Sequence, residues 1–247
     1  MATLEARRLQ MRFGDRVVLE DISLTFRDRE FSGIMGPNGA GKTTSFNVLT
    51  GRYRPTRGQV LLDGEDITGL PPRAIARKGV SRSFQLLNLF NDFTALENVA
   101  LAVPESRRHG LSMLRHAARE GIATDKAAKT LERVGLRGKE HVPAKQLSYG
   151  DRRALEIGVA LAAEPGVLCL DEPTSGLGTE GSARLADLIL SLKGSLTIVA
   201  IEHDMKFLFG LADTVAVIHW GQVIARGTPA ELRENPWVRA SNLGKLR

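Results

Sequence analysis

Short apolar runs separated by turn signals dominate the two ends of this chain. Such runs are typical of buried or half-buried β-strands, because a strand covered on both faces is apolar throughout. The runs predict strands over residues 4–11, 17–26, 31–35, 59–62, 80–84, 167–170, 196–201 and 214–218, and a last short strand between Gly221 and Gly227. The chain therefore has enough strands for at least one large sheet.

Helical spacing and capping signals predict the segments between the strands. The predicted helices cover residues 44–50, 73–77, 94–104, 111–120, 125–134, 148–163 and 181–192, with two more that begin near Asp204 and at Thr228. Thr94 and Thr228 are each followed three residues later by a glutamate, which is the spacing of a capping box. Pro104 is expected to end its helix, and Thr124 is expected to cap the helix that stops at Gly135.

Strands alternate with helices near both ends of the chain, whereas helices alone fill its middle. Alternation implies a parallel sheet covered by helices. We therefore predict a single α/β unit that spans residues 1–247. Residues 1–89 and 164–247 are expected to form an α/β core with a mostly parallel sheet and an N-terminal antiparallel β subdomain, and residues 90–163 an inserted helical subdomain.

Charge and composition exclude several classes of protein. The net charge of +6 suits an anionic ligand, but the basic residues are spread thinly and only 5% of residues are aromatic. A nucleic-acid platform more often has a basic stripe with stacking aromatics, so no nucleic-acid partner is expected. No uncharged apolar stretch is long enough to span a membrane, and no secretory signal is apparent. The single cysteine, Cys169, lies in an apolar run and is expected to be buried.

The clearest chemical motif lies between a predicted strand and a predicted helix. It reads Gly36, Pro37, Asn38, Gly39, Ala40, Gly41, Lys42, Thr43, Thr44. This fits G-x-x-x-x-G-K-[ST], in which glycines let backbone N–H groups close around phosphate oxygens at a helix N-terminus. Lys42 is expected to reach the β- and γ-phosphates, and the Thr43 hydroxyl to bind Mg²⁺. The alternative is a glycine-rich turn that binds nothing, which the strand–loop–helix setting disfavours.

A second motif is the apolar run at 167–170 followed by Asp171 and Glu172. In a phosphate-loop enzyme this strand is expected to lie beside the strand of the loop, which places Asp171 near Mg²⁺. Glu172 is then the natural general base or water-positioning group for attack on the γ-phosphate. The alternative is a pair of solvated acids at a strand end.

With these motifs the chain resembles the nucleotide-binding subunit of an ATP-binding-cassette (ABC) transporter over nearly its whole length. Phe13, Gln85 and His203 resemble the adenine-stacking aromatic, the Q-loop glutamine and the switch histidine; residues 147–151 and 175–178 resemble the signature motif and the D-loop. The resemblance implies a RecA-like P-loop NTPase core with ATP and Mg²⁺ as cofactors. It also implies that Gln85 contacts Mg²⁺ and the attacking water, and that His203 contacts the γ-phosphate. The alternatives are a turn aromatic, a solvated strand end and a satisfied surface histidine.

The resemblance further implies a dimer. ATP would lie between the phosphate loop of one subunit and Ser148 with the amide of Gly150 of a second ATPase subunit. The usual signature is LSGGQ, so Tyr149 and Asp151 are departures, and Gly178 stands where the D-loop usually has Asp or Asn. Asp151 is expected to weaken ATP-driven dimerisation modestly unless Arg152 or Arg153 compensates its charge.

Among ABC proteins the chain is most similar to the ATPase subunits of branched-chain amino-acid importers, through stretches such as 66–72, 96–99 and 201–205. This resemblance implies integral-membrane permease subunits as partners, a solute-binding protein as an indirect one, and a peripheral position on the cytoplasmic face of the inner or plasma membrane. The alternatives are a urea importer, the lipopolysaccharide-export ATPase, or an ABC ATPase that acts on nucleic acid. The apolar stretch of Leu86, Leu87, Leu89, Phe90 and Phe93 is either a docking patch for a permease helix or core packing.

Overall fold

In the part of the chain that the structure describes, residues 2–83, 89–104, 121–236 and 238 of a computed structural model, ten strands form two sheets. In chain order the strands are β1 (Leu4–Phe13), β2 (Arg16–Phe26), β3 (Phe31–Met35), β4 (Arg57–Leu62), β5 (Glu65–Asp66), β6 (Val80–Arg82), β7 (Val167–Asp171), β8 (Thr197–Ile201), β9 (Thr214–His219) and β10 (Gln222–Gly227).

One sheet is antiparallel and the other is mostly parallel. The first has the order β2-β1-β4-β5, with antiparallel pairing at each step. The second has the order β10-β9-β3-β8-β7-β6, in which only the edge pair β10–β9 is antiparallel among the described strands. The predicted mostly parallel sheet with an N-terminal antiparallel sheet is confirmed.

Helices cover the sheets. In chain order they are α1 (Lys42–Leu49), α2 (Pro72–Arg77), α3 (Ala95–Ala100), α4 (Gly121–Arg133), α5 (Tyr149–Ala162), α6 (Thr179–Leu192), α7 (Met205–Leu211) and α8 (Pro229–Glu234), with a short 3-10 helix at Ala144–Gln146. The helix predicted over 111–120 lies outside the described residues. The capping boxes at Thr94 and Thr228 are both present, and Gly135 follows α4 with φ of 76° as a helix-ending glycine does.

Two helix boundaries differ from the prediction. Helix α3 ends at Ala100, four residues before Pro104, because Ala102 and Val103 donate three residues back and tighten the chain into turns. Helix α4 already includes Gly121, so Thr124 lies inside it and does not cap it. The buried stripe of α4 begins at Ala123 and continues at i+4 and i+8, and this packing carries the helix past the local capping signal.

Alternate residues of the parallel strands enter two separate hydrophobic cores. In β7, Leu168 and Leu170 face a core shared with α3 to α7, whereas Val167 and Cys169 face a core shared with the antiparallel sheet, α1 and α2. Strands β8 and β9 divide their residues in the same way. The sheet is therefore covered on both faces, which explains its near-continuous apolar strands.

The strand order corrects one expectation about the second motif. Strand β7, which ends at Asp171, does not lie beside β3; strand β8 lies between them and pairs with both. The residues that follow β8 are Glu202 and His203. The sheet therefore places His203 between the phosphate loop and the two carboxylates. The order of the strands along the chain does not reveal this arrangement.

Candidate nucleotide site

The segment from Gly36 to Gly41 joins β3 to α1 through a backbone that two glycines make possible. Gly36 has φ of 153°, and a Cβ there would lie 2.0 Å from the carbonyl oxygen of Ile218. Gly41 has φ of 104°, and its Cβ would lie 2.8 Å from a methyl group of Leu19. The first α1 hydrogen bond runs from the N–H of Ser45 to Gly41 O, so the preceding N–H groups lack intrahelical acceptors. These N–H groups are the donors that the predicted anion cradle requires.

Lys42 closes this loop on itself. Its buried ammonium donates to the carbonyl oxygens of Gly36 at 2.8 Å and Pro37 at 3.0 Å. Burial lowers the pKa of Lys42, and the negative charges of Glu172 and Asp171 oppose that shift. A phosphate oxygen is a stronger acceptor for an ammonium than a neutral carbonyl, so a bound triphosphate is expected to take over these hydrogen bonds.

A cavity of about 270 Å³ brings most of the predicted site residues together. Its lining comprises Phe13, Arg16, Val18, residues 38–44, Glu172 and His203. Phe13 is 45% exposed and packs edge-on against Tyr53, with ring centroids 5.4 Å apart. Its ring is therefore packed on one side and still accessible at the cavity. Arg16 is a lining residue that the sequence analysis missed. The described lining includes neither Ser148 nor Gly150.

Glu172 and His203 form a pair at this cavity. Nε2 of His203 lies 3.0 Å from Oε1 of Glu172. Glu172 has φ of 46°, a left-handed conformation that is costly for a residue with a side chain. Its N–H donates to Ile201 O at 2.9 Å, which ties the end of β7 to the end of β8. The predicted general base and switch histidine are therefore in direct contact.

Asp171 is buried one residue before Glu172 and is paired with Arg82. Nη2 of Arg82 lies 2.5 Å from Oδ2 of Asp171. The same guanidinium donates to Asn47 Oδ1 at 2.7 Å and Thr50 Oγ1 at 2.9 Å, both in or next to α1. Arg82 therefore links the carboxylate predicted near Mg²⁺ to the helix that follows the phosphate loop. Gln85, three residues after Arg82, lies outside the described residues.

Arg153 of α5 holds the backbone at the end of β7. Its side chain is 1% exposed, and its Nη2 donates to the carbonyl oxygens of Asp171 at 3.1 Å and Glu172 at 2.8 Å. Its Nη1 lies 2.9 Å from Oε2 of buried Glu156. One guanidinium therefore fixes the turn in which Glu172 has its left-handed conformation. The sequence predicted the helix that contains Arg153, but it did not show that this arginine is buried.

Glu202 is a second positioning residue that the sequence analysis missed. Its Oε1 accepts hydrogen bonds from the N–H of Thr174 at 2.8 Å and the Thr174 hydroxyl at 2.6 Å. Its Oε2 accepts one from the N–H of His203 at 3.0 Å. This carboxylate, 2% exposed, joins the loop after Glu172 to the backbone of the histidine. An acid next to His203 was visible in the sequence, but its burial was not.

The signature segment lies at the N-terminus of α5, where Ser148 is the N-cap. The Ser148 hydroxyl accepts from the N–H of Asp151 at 3.1 Å and donates to its Oδ2 at 2.8 Å. Lys139 Nζ lies 2.7 Å from the same Oδ2. The cation that pairs with Asp151 is therefore Lys139, whereas Arg152 donates to Asn91 and Arg153 to the carbonyl of Glu172 after β7.

The electrostatic balance at Asp151 follows from these contacts. Burial alone would raise the pKa of Asp151, but the hydrogen bonds from Lys139 and Ser148, with the charges of Lys139 and Arg184, outweigh it and lower the pKa. The carboxylate is therefore ionised and neutralised within its own subunit.

Other candidate chemistry is limited among the described residues. Cys169 is buried, as predicted, and burial raises the pKa of its thiol to about 12. Within those residues no cluster of three or more His, Cys, Asp or Glu side chains has the arrangement of a metal site. No helix of the described segments combines the length and hydrophobicity needed to cross a membrane.

Comparison with known proteins agrees with this site. The family model described as ABC transporter matches residues 19–175. The chain is 42% identical to the high-affinity branched-chain amino acid transport ATP-binding protein LivG of Salmonella typhimurium, over 98% of both chains. It is 31% identical to the lipopolysaccharide export system ATP-binding protein LptB of Haemophilus influenzae, over 99% of this chain and 98% of the other.

A solved structure extends the likeness to three dimensions. The ADP conformation of MJ1267, an ATP-binding cassette of an ABC transporter, superposes with a TM-score of 0.86 at 28% identity and covers 99% of this chain and 100% of its own. Because the family model covers more than half of the chain and the predicted catalytic pair meets at the phosphate-loop cavity, this chain belongs to the ABC transporter family as an ATP-hydrolysing subunit.

Proposed function

We propose that this subunit powers an importer of branched-chain or chemically related amino acids, with Glu172, His203 and Gln85 as its catalytic residues. The observation that supports the catalytic assignment is the 3.0 Å contact of Glu172 with His203 at the cavity that Lys42 and Thr43 also line. The likeness to LivG supports the choice of solute. Lipopolysaccharide export, suggested by the lower likeness to LptB, is the second candidate; a urea importer and a nucleic-acid ATPase rank below it.

In the proposed reaction a water oxygen bonds to the γ-phosphorus of ATP while the bond from that phosphorus to the β–γ bridging oxygen breaks, which gives ADP and phosphate. Glu172 accepts the proton of the attacking water. His203 orients the Glu172 carboxylate and contacts the γ-phosphate. The work of the protein is positioning and charge neutralisation, since the transferred group needs little covalent assistance.

The phosphate loop and its surroundings supply the ligands. The N–H groups of the loop, from Gly36 through Thr44, and the Lys42 ammonium would hold the β- and γ-phosphates. The donor set fits Mg²⁺, because the Thr43 hydroxyl lines the cavity and the Asp171 carboxylate is buried beside Glu172. When bound, Mg²⁺ neutralises charge on the phosphates. Gln85 is assigned as a further contact to the metal and the water, and Phe13 as the wall on which adenine stacks.

A second copy or a sibling ATPase subunit completes the site in this proposal. Ser148 and Gly150 lie at a capped helix N-terminus, a setting that favours an anion. They do not line the phosphate-loop cavity of their own subunit. Lys139 neutralises Asp151, so that acid repels an incoming phosphate less than its charge alone suggests. ATP is therefore proposed to join two subunits.

The membrane partner is proposed to dock in an apolar groove of about 480 Å³. Its lining runs from Pro72 and Ile75 of α2 through Ser81 and Arg82 to Val159 near the end of α5. It ends close in the chain to Gln85, so occupancy of the groove can affect the catalytic site. Of the apolar stretch at 86–93, Leu89 packs on the core and Phe90 is 59% exposed. A short cytoplasmic helix of a permease subunit is the proposed occupant.

The domain division and the location belong to the same proposal. We assign residues 1–89 and 164–247 to the nucleotide-binding core and residues 90–163, which present the signature helix, to a helical subdomain. The subunit would be peripheral, on the cytoplasmic face of the inner or plasma membrane, and bound to permease subunits. A solute-binding protein would deliver the solute to those permeases without touching this chain.

The catalytic assignment is tested with Glu172→Gln. The amide keeps the shape of the side chain but cannot accept the proton, so turnover should fall at least about a hundredfold, the usual contribution of a general base. ATP should remain bound, as measured by equilibrium dialysis with labelled nucleotide. Lys42→Ala serves as the contrast, because it should lose ATP binding itself. Turnover like that of the unchanged protein in Glu172→Gln would contradict the assignment.

The solute is tested by reconstitution. Permeases that co-purify with this subunit are placed in vesicles with a solute-binding protein, and ATP-dependent uptake of labelled leucine, urea and lipopolysaccharide is compared. Uptake of leucine alone supports the proposal. Stable, salt-sensitive RNA or DNA binding without a permease partner would instead favour the nucleic-acid class.

A further inference from the structure

One departure from the usual ABC motifs, Tyr149, contacts the segment that contains the other, Gly178. Tyr149 begins α5 beside the N-cap Ser148, and its hydroxyl donates to the carbonyl oxygen of Ser175 at 3.1 Å. Its ring covers Gly176, where an added Cβ would lie 2.9 Å from the ring. Gly178, the second departure, lies two residues further along. The signature and the D-loop of one subunit are therefore in direct contact through the tyrosine.

The glycine at 178 removes one anchor that the D-loop would otherwise have. Gly178 is the N-cap of α6, and it offers no side-chain cap where Asp or Asn would bind the first turn. Gly176 has φ of 75°, and glycine is the residue that most readily changes its backbone conformation. Residues 175–178 therefore have backbone freedom at two positions and a tyrosine laid across them.

We propose that Tyr149 is a positioning residue that fastens residues 175–178 to the signature helix, so that both segments meet a second subunit as one preformed surface. The inference rests on the proposed function, in which ATP joins two subunits. Ordering a mobile loop during association weakens it, so a loop that is ordered beforehand strengthens it. Tyr149 is 46% exposed, so its outer side remains open to a partner while its hydroxyl is engaged inside the subunit.

Two variants divide the contact into its parts. Tyr149→Phe keeps the ring over Gly176 and removes the hydroxyl, and Tyr149→Gly removes both and installs the residue of the usual signature. Leu190→Ala is the matched control, because Leu190 is an apolar side chain that is 51% exposed on α6, beyond the D-loop. All three are examined first as nucleotide-free monomers.

Hydrogen exchange of the amides at 175–178 is the first measurement. We expect exchange about fivefold faster in Tyr149→Phe, the effect of one lost neutral hydrogen bond, and faster still in Tyr149→Gly. The control should match the unchanged protein. Equal exchange in all variants would overturn the proposal, and this measurement does not depend on dimerisation.

ATP-driven dimerisation in the Glu172→Gln background is the second measurement, by sedimentation velocity. We expect the dimer to dissociate about fivefold more readily with Tyr149→Phe and more so with Tyr149→Gly. Faster exchange at 175–178 with undiminished dimerisation would overturn the proposal, because order in this loop would then not strengthen association with a second subunit. If the parent Glu172→Gln does not dimerise with ATP, either alone or mixed with a co-purified sibling ATPase subunit, the proposed composite site fails and the preformed surface fails with it. If amide exchange at 175–178 still differed among the monomers, the contact of Tyr149 would order this loop without any role in dimerisation.

Discussion

The phosphate loop and the turn after β7 line the same cavity, but different kinds of interaction hold them. The loop is held largely by its own residues: Lys42 binds the carbonyls of Gly36 and Pro37, and the N–H of Ala40 donates to Pro37 O. The turn is held by residues distant in the chain. Arg153 reaches its carbonyls from α5, and Glu202 reaches its loop from the end of β8.

The difference separates what a motif encodes from what a fold encodes. A loop that supplies its own contacts needs only the right glycines and the right lysine, so its sequence is recognisable in isolation. A turn that keeps Glu172 at φ of 46° needs an arginine and a glutamate that are adjacent only after folding. Substitutions in the two regions should therefore fail in different ways.

The largest effect is expected from Arg153→Met. The change removes the guanidinium that pairs with buried Glu156 and that donates to the carbonyls of Asp171 and Glu172, so the free energy of unfolding should fall by about 3–5 kcal/mol. Urea denaturation measures it. Arg137→Met is the control, since the Arg137–Glu132 pair is exposed and should change stability by less than about 1 kcal/mol. Equal effects of the two would mean that the turn does not depend on α5.

Gly36→Ala should have the next largest effect. Its Cβ would lie 2.0 Å from the Ile218 carbonyl oxygen at a backbone conformation unsuited to alanine, so we expect a loss of about 2–3 kcal/mol and weaker ATP binding. Gly39→Ala is the matched control, because Gly39 also has positive φ but nothing lies within 4 Å of its Cβ position. Calorimetry with ATP compares them. If both alanine variants were as stable and bound ATP as well as the unchanged protein, the close approach of Gly36 to the Ile218 carbonyl of β9 would not be needed.

Glu202→Gln tests the buried Glu202 carboxylate without changing the size of the side chain. The amide retains one oxygen for the four groups that now donate to the carboxylate, so about 1–3 kcal/mol of stability should be lost. Turnover should fall about tenfold while ATP affinity changes less, because Glu202 supports the turn that contains Glu172 and does not contact the phosphate loop. Single-turnover kinetics separate the two quantities. Loss of ATP binding with unaltered chemistry would reverse this assignment.

Asp151→Asn should have the smallest effect. The lowered pKa of Asp151 means that its carboxylate stabilises the folded state at pH values above its ordinary value near 3.8, and that this contribution is lost as the pH falls through the lower folded value. Because Lys139 is 42% exposed, we expect about 0.5–1 kcal/mol near neutral pH. Denaturation at several pH values should show the variant and the unchanged protein converging in acid. A difference that grows in acid would contradict the ion pair with Lys139.

Several local features followed from the sequence because their causes are local. The capping boxes at Thr94 and Thr228 and the helix stop at Gly135 each involve residues within one turn. The start of α4 did not follow, because a buried stripe shared with other helices outweighs the local signal at Thr124. Local chemistry decided helix ends only where packing did not compete.

The sequence by itself determined the phosphate loop, the apolar strands, the carboxylates after β7 and the class of reaction, since each depends on residues close together in the chain. The tertiary structure decided that β8 lies between β3 and β7 and so brings His203 to Glu172. It also decided which charges meet: Arg82 with Asp171, Arg153 with Glu156, and Lys139 with Asp151. Charges attract over distances that the fold sets, so no spacing along the chain could assign these partners.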